Sequence, residues 1–182
     1  LSAASSPFED TSYRPSFFWE FPKPQIRTLP ELLRFGYEHE SNGQGDEPDG
    51  QGRSRSRSID TLFIFPFWTT QVGGRTLVAG PKVYGYVSKG HENQDIARYR
   101  GHTDLIVRYG NEDSWLVNAL WRHGTENHNT VQLDLSYPFR KKFFSRTGGY
   151  FYVQTFSGYG ESLLTYDQRQ DFTVRFGFAI VR

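Results

Sequence analysis

The residues best able to do chemistry in this sequence lie in Tyr37-Glu38-His39-Glu40-Ser41-Asn42-Gly43-Gln44 and, across a polar stretch, in Ser56-Arg57-Ser58-Ile59-Asp60. Side chains alternate along an extended chain, so Phe35, Tyr37, His39 and Ser41 share one face while Arg34, Gly36, Glu38 and Glu40 share the other. In the second segment Ser58, Asp60, Leu62 and Ile64 fall together. A hairpin of the two would set a carboxylate beside an imidazole that has a serine hydroxyl two residues away. That is the inventory of a nucleophile (Ser41), a general base (His39) and an acid that orients the base (Asp60). The bland alternative is that all three are strand-end residues at a rim, and His91, His102, His123 and His128 take that reading. Glu38 and Glu40, on the face of Arg34, read as part of an internal charge network.

The polar trio shares its face with Phe35, Tyr37, Leu62 and Ile64, while the opposite faces are charged or aromatic and no covering helix is evident. This makes sense if the greasy side meets lipid and the substrate arrives from it.

The elements that must carry these residues read as strands. Thr11 to Phe21, Leu32 to Ser41, Arg57 to Thr69, Leu77 to Ser88, Gly101 to Tyr109, Trp115 to Arg122, Val131 to Tyr137, Gly149 to Tyr159 and Phe172 to Ile180 alternate or are bounded by turn residues. Most have the roughly 9–11 residues of a tilted membrane-spanning strand. Val131, Leu133, Leu135 and Tyr137 against Gln132, Asp134 and Ser136 is the cleanest alternation. Pro66 should interrupt pairing within its strand, Gly73-Gly74 should make a tight hairpin turn, and Lys89 to Ala97 reads as a charged loop. Long loops after Ser41, Ser88, His123 and Tyr159 would lie on one side of a membrane and short turns on the other, which puts Ser41 near the outer rim. About nine strands, an odd number, imply preceding strands outside this sequence. The missing initiator Met and signal peptide read as a processed or excised chain.

Composition narrows the class. Among 182 residues are sixteen Phe, eleven Tyr, four Trp and 18 Gly, a mixture suited to strands with aromatic girdles and tight turns. A net charge of +1 gives no cationic excess for nucleic acid. Arg53, Arg55 and Arg57 are a local exception that reads as a solvated loop, or as attraction to anionic headgroups at a barrel rim. There is no cysteine, so disulfides and thiolate metal sites are excluded. No apolar run approaches the roughly 18 residues of a transmembrane helix.

The string YxHxSNGQ followed by SRSxD resembles the active-site region of the outer-membrane phospholipase A family. Leu135-Ser136-Tyr137-Pro138, Phe156-Ser157-Gly158-Tyr159-Gly160-Glu161-Ser162-Leu163 and the Ser5-Ser6-Pro7-Phe8 run agree in order. The resemblance runs from about residue 5 to the end. It implies an all-β fold, an antiparallel transmembrane β-barrel of twelve strands of which residues 1–182 form the C-terminal part of a single domain. It also implies a calcium-dependent serine hydrolase of phospholipid acyl esters, active as a homodimer in the outer membrane of a Gram-negative bacterium, with its site toward the outer leaflet.

Residue by residue, the resemblance implies that the backbone amide of Gly43 helps hold the oxyanion. Calcium would be held by the carbonyl of Gln44 and by Ser56, with the carbonyl of Ser5 arriving from a second subunit. Asp46, Glu47, Asp49 and Glu92 could serve a second calcium site. The family has Asn where this sequence has Asp60, which changes the charge of the orienting residue. Two rival readings are a barrel that has lost catalysis and serves as a channel or structural protein, and a soluble lipid-binding β-barrel.

Overall fold

The computed structural model describes residues 12–22, 29–45, 54–139 and 148–181. Nine strands run through them: β1 (Ser16–Pro22), β2 (Leu32–Ser41), β3 (Ser58–Val72), β4 (Arg75–Lys89), β5 (Thr103–Gly110), β6 (Leu116–His123), β7 (Asn129–Pro138), β8 (Gly148–Gly158) and β9 (Gln170–Val181). Each pairs antiparallel with the next, in one sheet of order β1 to β9. Ser5, Asp46, Glu47 and Asp49 lie outside the described residues.

The two faces of the sheet are inverted relative to a water-soluble protein. Phe17, Trp19, Leu62, Ile64, Val83, Leu133, Leu135, Phe172 and Phe176 are exposed, whereas Glu40, Thr61, Arg100, Asp104, Arg122 and Thr130 are buried. On β7 the expected stripe of Val131, Leu133, Leu135 and Tyr137 is exposed along its whole length. An apolar outer face over a polar interior is the arrangement a barrel takes in lipid. No helix among the described residues is long and apolar enough to cross a membrane.

Local chemistry explains where the strands depart from expectation. β1 begins at Ser16, later than the sequence suggests, because Pro15 cannot donate to the ladder. The chain before it still touches β2, through a bridge of Tyr13 to Ser41 and the bond from His39 N to Pro15 O. Between β3 and β4 the pairing lapses from Ile64↔Val83 to Trp68↔Ala79, the interval that holds both Pro66 and Pro81. The turn Gly73-Gly74 has φ of 57° and 73°, both in the region that a glycine enters without a Cβ clash and that a tight hairpin demands.

The stretch after β4 is not the plain loop its charge suggests. It forms a 3₁₀ turn (His91–Asn93) and one helical turn, α1 (Ile96–Arg100). α1 buries Ile96 completely against Leu163, Ile59 and Tyr166, with Tyr86 and Tyr99 packed around them. This small core lies at the same end of the sheet as Ser41.

Candidate active site

β2 and β3 build the site. Their register sets His39 directly opposite Asp60 and Ser41 opposite Ser58, with Tyr37 opposite Leu62. Directly opposed residues project from the same face, so the imidazole and the carboxylate meet on the apolar outer side. His39 Nδ1 lies 2.8 Å from Asp60 Oδ1. His39 remains 37% exposed and Asp60 24%, so the pair is open to whatever bathes that face. Of the expected constellation the structure draws the base–acid contact. Ser41 sits two residues on, on the face of His39, and its hydroxyl makes no hydrogen bond among the described residues. Nucleophile–base contacts are commonly long before substrate binds.

Two side chains given no chemical part by the sequence belong to the site. The hydroxyl of Tyr37 donates to Asp60 Oδ1, the same oxygen that meets His39. Asn42 is buried and clamps the chain after Ser41. Its Nδ2 donates to Arg55 O at 2.8 Å, and its Oδ1 accepts from Arg57 N at 2.9 Å and Gln44 N at 3.4 Å. The backbone repeats the link through Asn42 N to Arg57 O. The segments that carry Gln44 and Ser56 are therefore held together. Gly43, between Asn42 and Gln44, has φ of 61°, a conformation that costs an L side chain roughly 1–2 kcal/mol.

The opposite face of the same strand is a packed ionic interior. Glu38 binds Arg14 at 2.8 Å and Lys82 at 3.0 Å, and Glu40 binds Arg100 at 2.9 Å. Arg100 also donates to Gly160 O. Next to them Arg122 grips Asp104 with two bonds, at 2.7 and 2.8 Å, while the Tyr84 hydroxyl donates to Arg100 O at 2.7 Å and lies 3.1 Å from Asp104 Oδ1. The internal network expected of Glu38 and Glu40 is present. Arg34 lies farther along β2, bonded to Glu20 and over the rings of Phe18 and Phe67.

The remaining histidines are rim residues. His102 meets Tyr84 O, His123 meets Asn129 Oδ1, and His128 meets Arg98 O and stacks with Tyr99 and Tyr159. Glu92, the expected outlying calcium ligand, lines a cavity of about 310 Å³ with Ser54, Arg55, Arg57, Tyr166 and Asp167. No cluster of three His, Cys, Asp or Glu side chains suited to a metal occurs among the described residues.

Comparison with known proteins bears on this geometry. A family model described as Phospholipase A1 matches residues 1–180. The phospholipase A1 of Escherichia coli K12 is 34% identical over 176 residues, which is 93% of this chain and 53% of that protein. An active-site mutant of E. coli outer membrane phospholipase A, in which an asparagine is replaced by alanine, superposes with a TM-score of 0.74 at 28% identity, covering 98% of this chain and 63% of that one. The Salmonella typhi outer membrane phospholipase, a dimer with bound calcium, gives a TM-score of 0.74 at 27% identity over 98% of this chain and 63% of that one. The chain spans about half the length of the curated relative. With the antiparallel sheet, its apolar outer face and the ordered motifs all in agreement, this chain belongs to the phospholipase A1 family.

Proposed function

We propose that this chain carries the catalytic part of a calcium-dependent outer-membrane serine hydrolase that cleaves phospholipid acyl esters at either glycerol position and lysophospholipids as well. It is one barrel domain that works in the outer membrane of a Gram-negative bacterium as a homodimer. The observation that carries the reading is the His39–Asp60 pair, set beside Ser41 on a face that is otherwise exposed and apolar. A soluble hydrolase would bury such a pair in a cleft. Here an acyl chain lying in the outer leaflet reaches it directly.

In the reaction Ser41 Oγ attacks the ester carbonyl carbon while His39 takes the hydroxyl proton. Asp60 holds the ring through Nδ1 and stabilises the imidazolium. The tetrahedral oxyanion is met by the Gly43 amide. On collapse His39 returns the proton to the departing glycerol oxygen, leaving an acyl-serine. Water, deprotonated by His39, then attacks the acyl carbon and frees the fatty acid and Ser41.

The donor set fits calcium, which takes carbonyl and hydroxyl oxygens. The Gln44 carbonyl and Ser56 would hold it on the two segments that Asn42 ties together, with Ser5 of a second subunit completing the set. The ion, when bound, supplies positive charge to the oxyanion. Glu92 shares its cavity with the guanidinium-bearing Arg55 and Arg57, which compete with a second cation there. The Salmonella dimer with calcium supports both the ion and the pairing of subunits.

The test is ester release from phospholipid mixed micelles by the longest natural polypeptide containing residues 1–182, with calcium or with chelator, beside Ser41→Ala. Activity should need calcium and should fall at least about a thousandfold in the variant. A folded, dimer-forming protein with no activity would leave a barrel with a structural role, although the ion pairs that fill its interior speak against a channel.

A further inference from the structure

The oxygen that orients His39 is shared. Asp60 Oδ1 accepts from the Tyr37 hydroxyl as well as meeting His39 Nδ1, and the register makes the sharing a property of the sheet, since Tyr37 and His39 are consecutive outward residues of β2 and Asp60 stands opposite His39 on β3. From this geometry, and resting on the hydrolase reading above, we infer that Tyr37 is a positioning residue that holds the Asp60 carboxylate against His39 and tempers its charge on the lipid-facing side.

The physical need is specific to this chain. A carboxylate on an apolar face loses the water that would solvate it, and it is tolerated when donors replace that water. The neighbours on that face supply few. Phe17 stands opposite Tyr37, Leu62 stands across from it on β3, and Ser88 is opposite Asp60. Ser58 and Tyr13 flank Ser41. The titratable groups facing His39 are therefore Asp60, Tyr37 and Tyr13, because Glu38 and Glu40 point to the other side and are paired with Arg14, Lys82 and Arg100. An Asn at position 60 would carry no charge to solvate. With Asp60, the phenol hydroxyl draws part of the negative charge away from the imidazole and fixes the carboxylate rotamer, so that the charge facing His39 and the alignment of its ring are set together.

The experiment is Tyr37→Phe, which keeps the ring on the lipid side and removes only the donor, made alone and in an Asp60→Asn background. It is read in the longest natural polypeptide containing this chain, folded in detergent micelles. Tyr37→Phe should lower kcat about tenfold with KM unchanged, as expected for loss of one bond to an ionised acceptor. The acid limb of the kcat/KM–pH profile should move up by roughly half a pH unit, because the undiluted carboxylate then favours imidazolium. In Asp60→Asn that displacement should vanish. The side-chain nitrogen resonances of His39 should show the same displacement, present with Asp60 and absent with Asn, whether or not the protein hydrolyses lipid.

An unmoved His39 titration in Tyr37→Phe, or an equal displacement in both backgrounds, overturns the inference. A loss of folded protein without any displacement overturns it too, by reducing Tyr37 to a packing residue. Absence of ester release from the unsubstituted protein counts against the hydrolase reading alone, and the resonance measurement still decides the role of Tyr37.

Discussion

The two faces of β2 both carry ionisable groups and hold them in opposite ways. Inward, Glu38 and Glu40 are enclosed by Arg14, Lys82 and Arg100. Outward, His39 has one carboxylate partner and a third of its surface open. Desolvated ions are costly unless each finds an opposite charge and further donors, which is the condition of the inner face. A hydrolytic site needs the reverse, groups held in place on one side and free on the other. The comparison teaches that the outer trio is positioned from behind. Alternation puts locked residues on both flanks of His39, so the backbone that bears the proposed base is fixed by groups on the opposite face.

Breaking the inner face should therefore produce the larger loss of stability. Arg122→Ala takes both guanidinium bonds from the buried Asp104 and leaves it Tyr84 and Lys82 among the described residues, and should cost about 3–5 kcal/mol, read as a lower urea midpoint for the folded form in micelles. Replacing both partners, Asp104→Leu with Arg122→Met, should recover most of that, because no uncompensated ion remains. If the single variant is as stable as the original, the interior is not the rigid side.

Asn42→Ala sharpens the comparison, since this side chain is buried yet ties the chain at Gln44 to the backbone of Arg55 and Arg57, the segments to which the proposal assigns the oxyanion and calcium groups. Removing its three bonds should cost about 2–3 kcal/mol of stability and reduce ester release by at least about tenfold, with the strands still formed. Full activity in that variant would mean that the outer site is assembled without support from within.

Much of this was legible in the sequence because a period of two needs no tertiary information. The apolar stripe of β7 and the shared face of His39 and Ser41 follow from counting. The opposition of His39 to Asp60 could only be anticipated, since a long polar segment between β2 and β3 fixes no register. What the sequence hides depends on partners remote in the chain. Ile96 is one apolar residue in a charged stretch, and it becomes core only when Leu163 and Tyr166 close over it. Asn42 draws its importance from the backbone of residues 55 and 57. Tyr37 reads in the sequence as one of the greasy residues, because its ring is apolar. Its hydroxyl acts only once Asp60 arrives from β3, and Asp60, standing where the resemblance implies an Asn, is the available signal that the carboxylate would need another donor.

The smallest effect belongs to an ion pair that resembles the interior ones in geometry alone. Arg98 donates to Glu126 at 2.8 Å, as close as Arg122 to Asp104, but both side chains lie exposed on the segments beyond the strand ends. The Arg98 guanidinium holds the Glu126 carboxyl below its ordinary value. Any stability this provides is present above the usual glutamate range and is lost as pH falls through the lowered value. Water and salt screen an exposed pair, and ordering two long side chains offsets what attraction survives. Glu126→Gln should accordingly leave the thermal midpoint of the folded barrel unchanged at neutral pH, and the acid side of its stability curve should overlie that of the original protein. A drop comparable with that of Arg122→Ala would mean that burial is not what separates the two kinds of pair, and the contrast between the locked interior and the open surface would lose its physical basis.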